Sequence, residues 1–281
     1  MANSDFAHGS QLSEVELARK ANRLRLTALE MIYRAGSGHP ASAFSVAEIV
    51  ATLYFYILRV RPLEPLWEHR DRLILSKGHA CPILYAALAD LGFFPLEDLL
   101  HFREIGSHLQ GHPKIGTPGV DASTGPLGLG ASIATGMALA GIWQKFRVFA
   151  ILSDGEMDAG IVWEAALFAA HNGLSNLTFI IDRNGLQYTG PTENVMMIEP
   201  LGEKWTAFGW EVISIDGHTV SEVIQALQAP QNTRPRLVIA RTVKGKGVSF
   251  MENTLKWHGT APNNEEYQAA RAELLARGLP R

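Results

Sequence analysis

Short apolar runs recur along the chain, each stopping at a polar or glycine-containing break, with helix-period segments between them. Arg147–Leu152 and Leu177–Ile181 are runs of strand length; the first ends at Ser153-Asp154-Gly155, the second at Asp182-Arg183-Asn184-Gly185. Between them Val162, Ala165, Ala166 and Ala169 recur at helical spacing. Strand, helix and strand of this length predict a βαβ unit with parallel strands and a right-handed crossover. Arg72–Leu75, Glu211–Ile215 and Arg236–Arg241 read as further strands. Ser13 with Glu16 is a capping-box signature for a helix to about Tyr33, and Leu17, Ala21, Leu24, Ala28 and Met31 share one face. Ser45 with Glu48, and Thr219 with Glu222, carry the same signature; the first predicts a helix to about Leu58. Ile83–Leu91, Gly128–Lys145 and a polar segment Asn264–Ala276 also read as helices, whereas 101–128 is rich in Gly, His and Pro and reads as loop. Alternation of strands and helices predicts an α/β fold: a doubly wound, mostly parallel sheet flanked by helices.

The segment 128–145 is loaded with Gly130, Ala131, Ala134, Gly136, Ala138, Ala140 and Gly141. Small residues weaken a helix but let another backbone or a ligand come close. Tight packing inside the domain and a ligand- or subunit-facing role both remain open at this point.

The length of 281 residues suits one large α/β domain. The expected division is a flexible polar stretch over 1–12, then a single domain over 13–281 with a C-terminal helical extension. Hydrophobic content of 47% against 19% charged residues is that of a globular chain. A net charge of −3 provides no basic field, which argues against nucleic acid or an anionic membrane as partner. The single cysteine, Cys81, excludes an internal disulfide and fits a reducing compartment. There is no secretory pattern at the N-terminus and no apolar run of membrane-spanning length, so a soluble, cytoplasmic protein is expected.

Asp154 and Asn184 both fall at the carboxyl end of a strand, the edge on which open α/β sheets bind ligands. A carboxylate and an amide oxygen are hard donors; with a backbone carbonyl and phosphate oxygens they would complete a Mg²⁺ or Ca²⁺ site. Gly155 and the N–H groups after it could approach a diphosphate closely. The plainer alternative is that Asp-Gly and Asn-Gly are ordinary turns after strands. His39, His79, His112 and His258 each lie beside glycine or proline in a predicted loop. Such histidines are often only solvated, but four of them suggest imidazoles gathered in one pocket, able to shuttle protons or bind hydroxyls. No pair has the i,i+4 spacing of a helical zinc site, and there is no G-x-S-x-G elbow for nucleophilic hydrolysis.

SGHP (37–40), LSKGHACPILYA (75–86), GHP (111–113), TGPLGLG (124–130), SDGEMDAGIVWEA (153–165), NLTFIIDRNGLQ (176–187), TVKGKG (242–247) and WHG (257–259) together resemble the N-terminal half of transketolase. The order and spacing hold from about residue 13 to 262, and the Asp154-Gly155…Asn184 segment resembles the thiamine-diphosphate signature of the wider superfamily. The resemblance implies thiamine diphosphate as cofactor, with Mg²⁺ or Ca²⁺ held by Asp154, Asn184 and the carbonyl of Leu186. It further implies that Ser42, His79, Gly125, Pro126, Leu127, Gly155, Glu156, Asn184, Lys244 and His258 meet the cofactor. His39, His112 and His258 would face the reacting sugar and assist its proton transfers. The implied reaction moves a two-carbon ketol unit from a ketose or ketose phosphate to an aldose or aldose phosphate, the cofactor acting as electron sink.

Full-length transketolases continue into a pyrimidine-binding domain, which this sequence does not contain. The resemblance therefore points to the smaller subunit of a two-component enzyme, assembled as α2β2 with a second polypeptide and inactive without it. Two positions depart from the family pattern. Ala159 stands where an interface glutamate is usual, although Glu164 fits the family's second interface acid, and Leu129 replaces a residue that is usually polar. Rival readings are a 1-deoxyxylulose-5-phosphate synthase half, a dihydroxyacetone synthase, a 2-oxoacid dehydrogenase α-subunit, or a non-catalytic assembly subunit of the same fold. WHG and the paired GHP motifs favour transketolase.

Overall fold

The computed structural model describes residues 12–230 and 233–278. The flexible stretch expected over 1–12 lies, apart from Leu12, outside the described residues. Five strands, β1 (Arg72–Leu75), β2 (Val148–Ser153), β3 (Leu177–Arg183), β4 (Glu211–Asp216) and β5 (Arg236–Arg241), form one parallel sheet in the order β1-β2-β3-β5-β4.

Helices cover both faces, which is why the strands read as continuous apolar runs and not as alternating ones. Phe149, Ile151, Ile180 and Val238 face a layer built from α1 (Glu14–Ala35), α3 (Ala47–Thr52), α4 (Cys81–Leu91), α9 (Val220–Gln228) and α10 (Asn264–Gly278). Their strand neighbours Val148, Ala150, Leu152, Phe179 and Leu237 face α5 (Leu129–Gln144), α6 (Gly160–His171) and α8 (Leu201–Ala207), with the single turn α7 (Thr192–Val195) connecting β3 to α8. Each large apolar side chain buried this way contributes about 1.5–3 kcal/mol. A one-residue slip would turn every such side chain toward the opposite layer, so packing on two sides sets the register. Among the described residues no helix is long and apolar enough to cross a membrane.

The capping box expected at Ser13 and Glu16 is present: Ser13 N–H donates to Glu16 Oε2 at 2.8 Å, and α1 ends at Gly36 with φ +59°. The other two expected caps do not form. Ser45 lies between α2 (Pro40–Phe44) and α3, and donates its hydroxyl to buried Asp182 at 2.7 Å. Glu48 pairs with Arg25 inside the core, and α3 passes into a π-helical turn over Leu53–Ile57. The Thr219 side chain makes no capping bond, while Glu222 accepts from Asp216 N–H at 2.8 Å. For Ser45 and Glu48 a partner distant along the chain outcompetes the local one, whereas Glu222 is taken by a backbone N–H six residues before it.

The small residues of α5 serve internal packing at two positions. A Cβ added at Gly130 would lie 2.6 Å from Ser76 Cβ, and one at Gly141 2.5 Å from the Phe146 ring. Gly130 thus lets the start of α5 sit directly against the end of β1. Its outward face is different: Gly136 is open, and Leu139, Ile142 and Trp143 are exposed.

Candidate active site

Parallel strands bring their carboxyl ends to one edge of the sheet. Ser76 and Lys77 follow β1, Asp154 opens a 3-10 turn after β2, Asn184 follows β3, and Thr242 to Lys244 follow β5. Over these ends lies a cavity of about 320 Å³. Loops from outside the sheet complete it: His39 precedes α2, and His258 closes a 3-10 turn over Leu255–His258. His39, Ser42, His79, His112, Gly125, Leu127, Asp154, Gly155, Asn184, Leu186, Lys244 and His258, all singled out from the sequence, line this one cavity.

Asp154 is knitted to the chain after β3. Its Oδ2 accepts from Gly185 N–H at 2.6 Å and from Arg183 Nη1 at 3.2 Å. The amide of Asn184 lies between two neighbours: Nδ2 donates to Asp182 Oδ2 at 3.1 Å, and Oδ1 accepts from Leu186 N–H at 3.1 Å. The Leu186 carbonyl accepts the Lys244 ammonium at 3.0 Å. Burial, with the charge of Asp182 second, pushes the Asp154 carboxyl up to about 6, so the protein alone compensates its charge incompletely.

The histidines pack ring against ring. His39 and His79 centroids are 5.0 Å apart, His79 and His258 5.3 Å, and His39 and His258 5.7 Å. Burial disfavours the imidazolium in each of them; the Arg103 charge adds to this at His39, which falls to about 4, and the Lys244 charge at His258, which falls to about 3. His79 and His112 shift down for the same first reason. All four are neutral at pH 7. Because the Lys244 ammonium can only donate, His258 Nδ1, 3.0 Å away, accepts from it and the ring proton resides on Nε2. Ser42 Oγ lies 3.2 Å from His79 Nε2. Among the described residues, the buried His39 Nδ1 has no hydrogen-bond partner.

Two expected cofactor residues do not line the cavity. Glu156 is fully buried beneath it, where Oε1 accepts from Gly128 N–H at 2.9 Å and from Ser76 Oγ, and Oε2 from Ser153 N–H at 2.7 Å. With its oxygens spent on these bonds it ties the ends of β1 and β2 to the start of α5, and it is absent from the residues that line the cavity. Pro126 is exposed beside Leu127, outside the lining. Conversely, Lys77, Ser153, Gln187 and Tyr188 line the cavity and were not singled out. Gln187 and Tyr188 directly follow Leu186, which was the available signal. Lys77 carried no signal, since a loop lysine ordinarily reads as solvated, yet its side chain is 1% exposed.

Among the described residues no group of three or more His, Cys, Asp or Glu side chains is arranged to hold a metal ion. The hard oxygen donors gathered from Asp154, Asn184 and Leu186 are one carboxylate, one amide and one carbonyl. Phosphate oxygens are the natural complement of such a partial set.

Residues 16–277 match the family model described as transketolase, thiamine diphosphate binding domain. The chain belongs to the transketolase family. It is 40% identical over 271 residues to an apulose-4-phosphate transketolase subunit of Phocaeicola vulgatus, covering 95% of this chain and 96% of that one. It is 42% identical over 270 residues to the 6-deoxy-6-sulfo-D-fructose transketolase subunit SqwG of a Clostridium species, covering 94% and 98%. Among solved structures, the transketolase of Campylobacter jejuni superposes with a TM-score of 0.86 at 33% identity. That match covers 92% of this chain but 43% of the longer one, so this chain spans less than half of a full-length transketolase.

Against that transketolase background, Ala159 sits at the amino end of α6 and packs on Gly128, whose added Cβ would lie 2.9 Å from the Ala159 methyl. Glu164 is exposed on the outer side of α6, near Leu167 and Phe168, which are exposed too.

Proposed function

We propose that this chain is the diphosphate-binding subunit of a two-component transketolase. It would bind thiamine diphosphate with Mg²⁺ or Ca²⁺ and, with a pyrimidine-domain polypeptide, move a two-carbon ketol unit from a ketose to an aldose. One observation carries the reading. The cavity gathers Asp154, Asn184, the Leu186 carbonyl and the neutral histidines, in a chain that matches subunit-length relatives end to end.

The residues present suit the cofactor. The Leu186 carbonyl already accepts a positive charge, and the Asp154 carboxylate is under-compensated, as fits a site that receives a divalent cation. Asp154, Asn184 and Leu186 would hold the cation, while Gly155, Ser42, His79, Gly125, Leu127 and Lys244 would hold the cofactor. Bound there, thiamine diphosphate supplies the electron sink for breaking and making the carbon–carbon bond. The chain's own groups do the rest. His258 Nε2–H is a donor for a sugar oxygen, and neutral His39 and His112 can accept hydroxyl protons and return them. The buried His39 Nδ1, unpaired among the described residues, is the imidazole atom whose hydrogen bond a ligand would supply.

The partner would cover the open side of the cavity, where Leu127 is 50% and Tyr188 71% exposed. An α2β2 assembly in the cytoplasm, acting on sugar phosphates or related anionic sugars, completes the proposal. The test is ketol transfer with thiamine diphosphate and Mg²⁺, by the purified chain alone and after mixing with a pyrimidine-domain polypeptide. Turnover only in the mixture is expected. Robust turnover by the chain alone defeats the two-component reading, and no thiamine diphosphate binding under either condition defeats the cofactor reading.

A further inference from the structure

At the cavity floor, where Lys77 joins the lining, lies a buried ion pair with no part in the proposed reaction. Lys77 and Asp182 have side chains 1% and 0% exposed and are in direct contact. Asp182 Oδ2 also accepts from Ser45 Oγ at 2.7 Å, and Oδ1 accepts from Thr242 Oγ1. Donors from after β1, after α2 and after β5 thus converge on a carboxylate of β3. A buried ion pair is a costly way to gain stability, since two desolvated charges seldom outperform apolar side chains of the same volume. Its retention calls for another reason.

That reason lies in the fourth donor. Asp182 Oδ2 accepts Asn184 Nδ2 at 3.1 Å. A primary amide has a donating end and an accepting end of nearly equal shape, and only its hydrogen-bond partners decide which way it points. A carboxylate held ionised by an ammonium and two hydroxyls offers no proton and can face only the donating end. The Leu186 N–H, 3.1 Å from Oδ1, agrees with the same orientation from the other side. We propose that the Lys77–Asp182 pair is a positioning device that turns the Asn184 amide so that its oxygen, and not its nitrogen, faces the cation. The inference rests on the cation site proposed above. Lys77 and Asp182 are positioning residues: they act through Asn184 and need not touch the cation.

The test exploits a symmetry. Converting the pair to Lys77→Gln with Asp182→Asn keeps size, hydrogen bonding and neutrality, but position 182 can then face either end of the Asn184 amide. In the full chain with saturating thiamine diphosphate, titrated with Mg²⁺ by calorimetry, this double variant should bind the cation about 10–100-fold more weakly than wild type, the range typical for losing an orienting partner. Adding Asn184→Asp to the double variant supplies an oxygen at both ends, so orientation ceases to matter and affinity should recover. In the wild-type background the same substitution sets a second carboxylate against Asp182 and should weaken binding. Melting temperature and circular dichroism without cofactor report separately on folding. Wild-type Mg²⁺ affinity in the double variant overturns the proposal, as does failure of Asn184→Asp to rescue. Failure of the wild-type chain itself to bind Mg²⁺ with thiamine diphosphate overturns the cation site, and this inference with it.

Discussion

The ammonium of Lys244 donates to the carbonyl oxygen of Leu186 at 3.0 Å, spanning the ends of β5 and β3. The same carbonyl is the third protein donor proposed for the divalent cation, so ammonium and cation compete for one oxygen. Burial, with the Lys77 charge second, lowers the Lys244 ammonium to about 8, which leaves it mostly charged at pH 7. A positive group displaced from a carbonyl at the floor of this cavity would meet the phosphate oxygens of the proposed cofactor as its next acceptors.

Lys244→Met should therefore weaken thiamine diphosphate binding. A hydrogen bond to a charged group contributes about 1.5–3 kcal/mol, or roughly 10–100-fold in affinity. Quenching of intrinsic tryptophan fluorescence or calorimetry at fixed Mg²⁺ measures it. Unchanged affinity would remove Lys244 from the diphosphate site.

Glu156→Ala leaves the buried Gly128 N–H and the half-buried Ser153 N–H without the Glu156 acceptor. At about 1–3 kcal/mol for each stranded group, the loss is roughly 3 kcal/mol, or about 6–12 °C in melting temperature for a domain of this size. Differential scanning calorimetry without cofactor reads it. A drop below about 2 °C would contradict the structural role assigned to this acid.

Gly130 and Gly136 lie on one helix and predict opposite signs. Gly130→Ala drives a methyl into Ser76 and should cost about 1–3 kcal/mol. Gly136→Ala meets nothing within 4 Å and should stabilise by about 0.5–1 kcal/mol through helix propensity. Chemical denaturation of both variants decides the matter, and equal effects would refute the packing of α5 on the end of β1.

Stability should fall on acidification as the histidines take up protons. The folded pKa of His39 is depressed to about 4 against an unfolded value of 6.5, so the unfolded chain binds the proton more readily. The His39 contribution is fully present above pH 6.5 and is lost as pH falls from 6.5 toward 4. His39→Asn should flatten the melting-temperature profile across that window while leaving it unchanged above pH 7. An identical profile in wild type and variant would show that His39 is protonated freely in the folded chain.

Much of the site could be read from residue order because parallel strands impose a simple rule. Wherever an apolar run stops, its next residue arrives at the same edge of the sheet, so Asp154 and Asn184 were legible as neighbours although far apart in sequence, while Lys244 was reached only through the resemblance. His39, His79, His112 and His258 were legible only through the resemblance and their Gly/Pro-flanked loops. The burial of Glu156 beneath the cavity was not legible, because its place in the Asp-Gly-Glu stretch says nothing about which way its side chain turns. Lys77 was missed for the converse reason: only its burial against Asp182 distinguishes it from a solvated lysine.

By itself the sequence determined the five strands, most of the longer helices, the parallel α/β class and the edge at which chemistry collects. Those follow from apolar periodicity and from strand breaks, which involve residues a few positions apart. The capping box at Ser13 formed for the same local reason. Tertiary structure alone decided that β5 inserts between β3 and β4, that Ser45 serves Asp182 137 positions away and not its own helix, and that a buried ion pair underlies Asn184. A hydroxyl or an amide takes the strongest acceptor the folded chain brings within reach. For a residue beneath a cavity floor, that acceptor comes from a strand the local sequence cannot see.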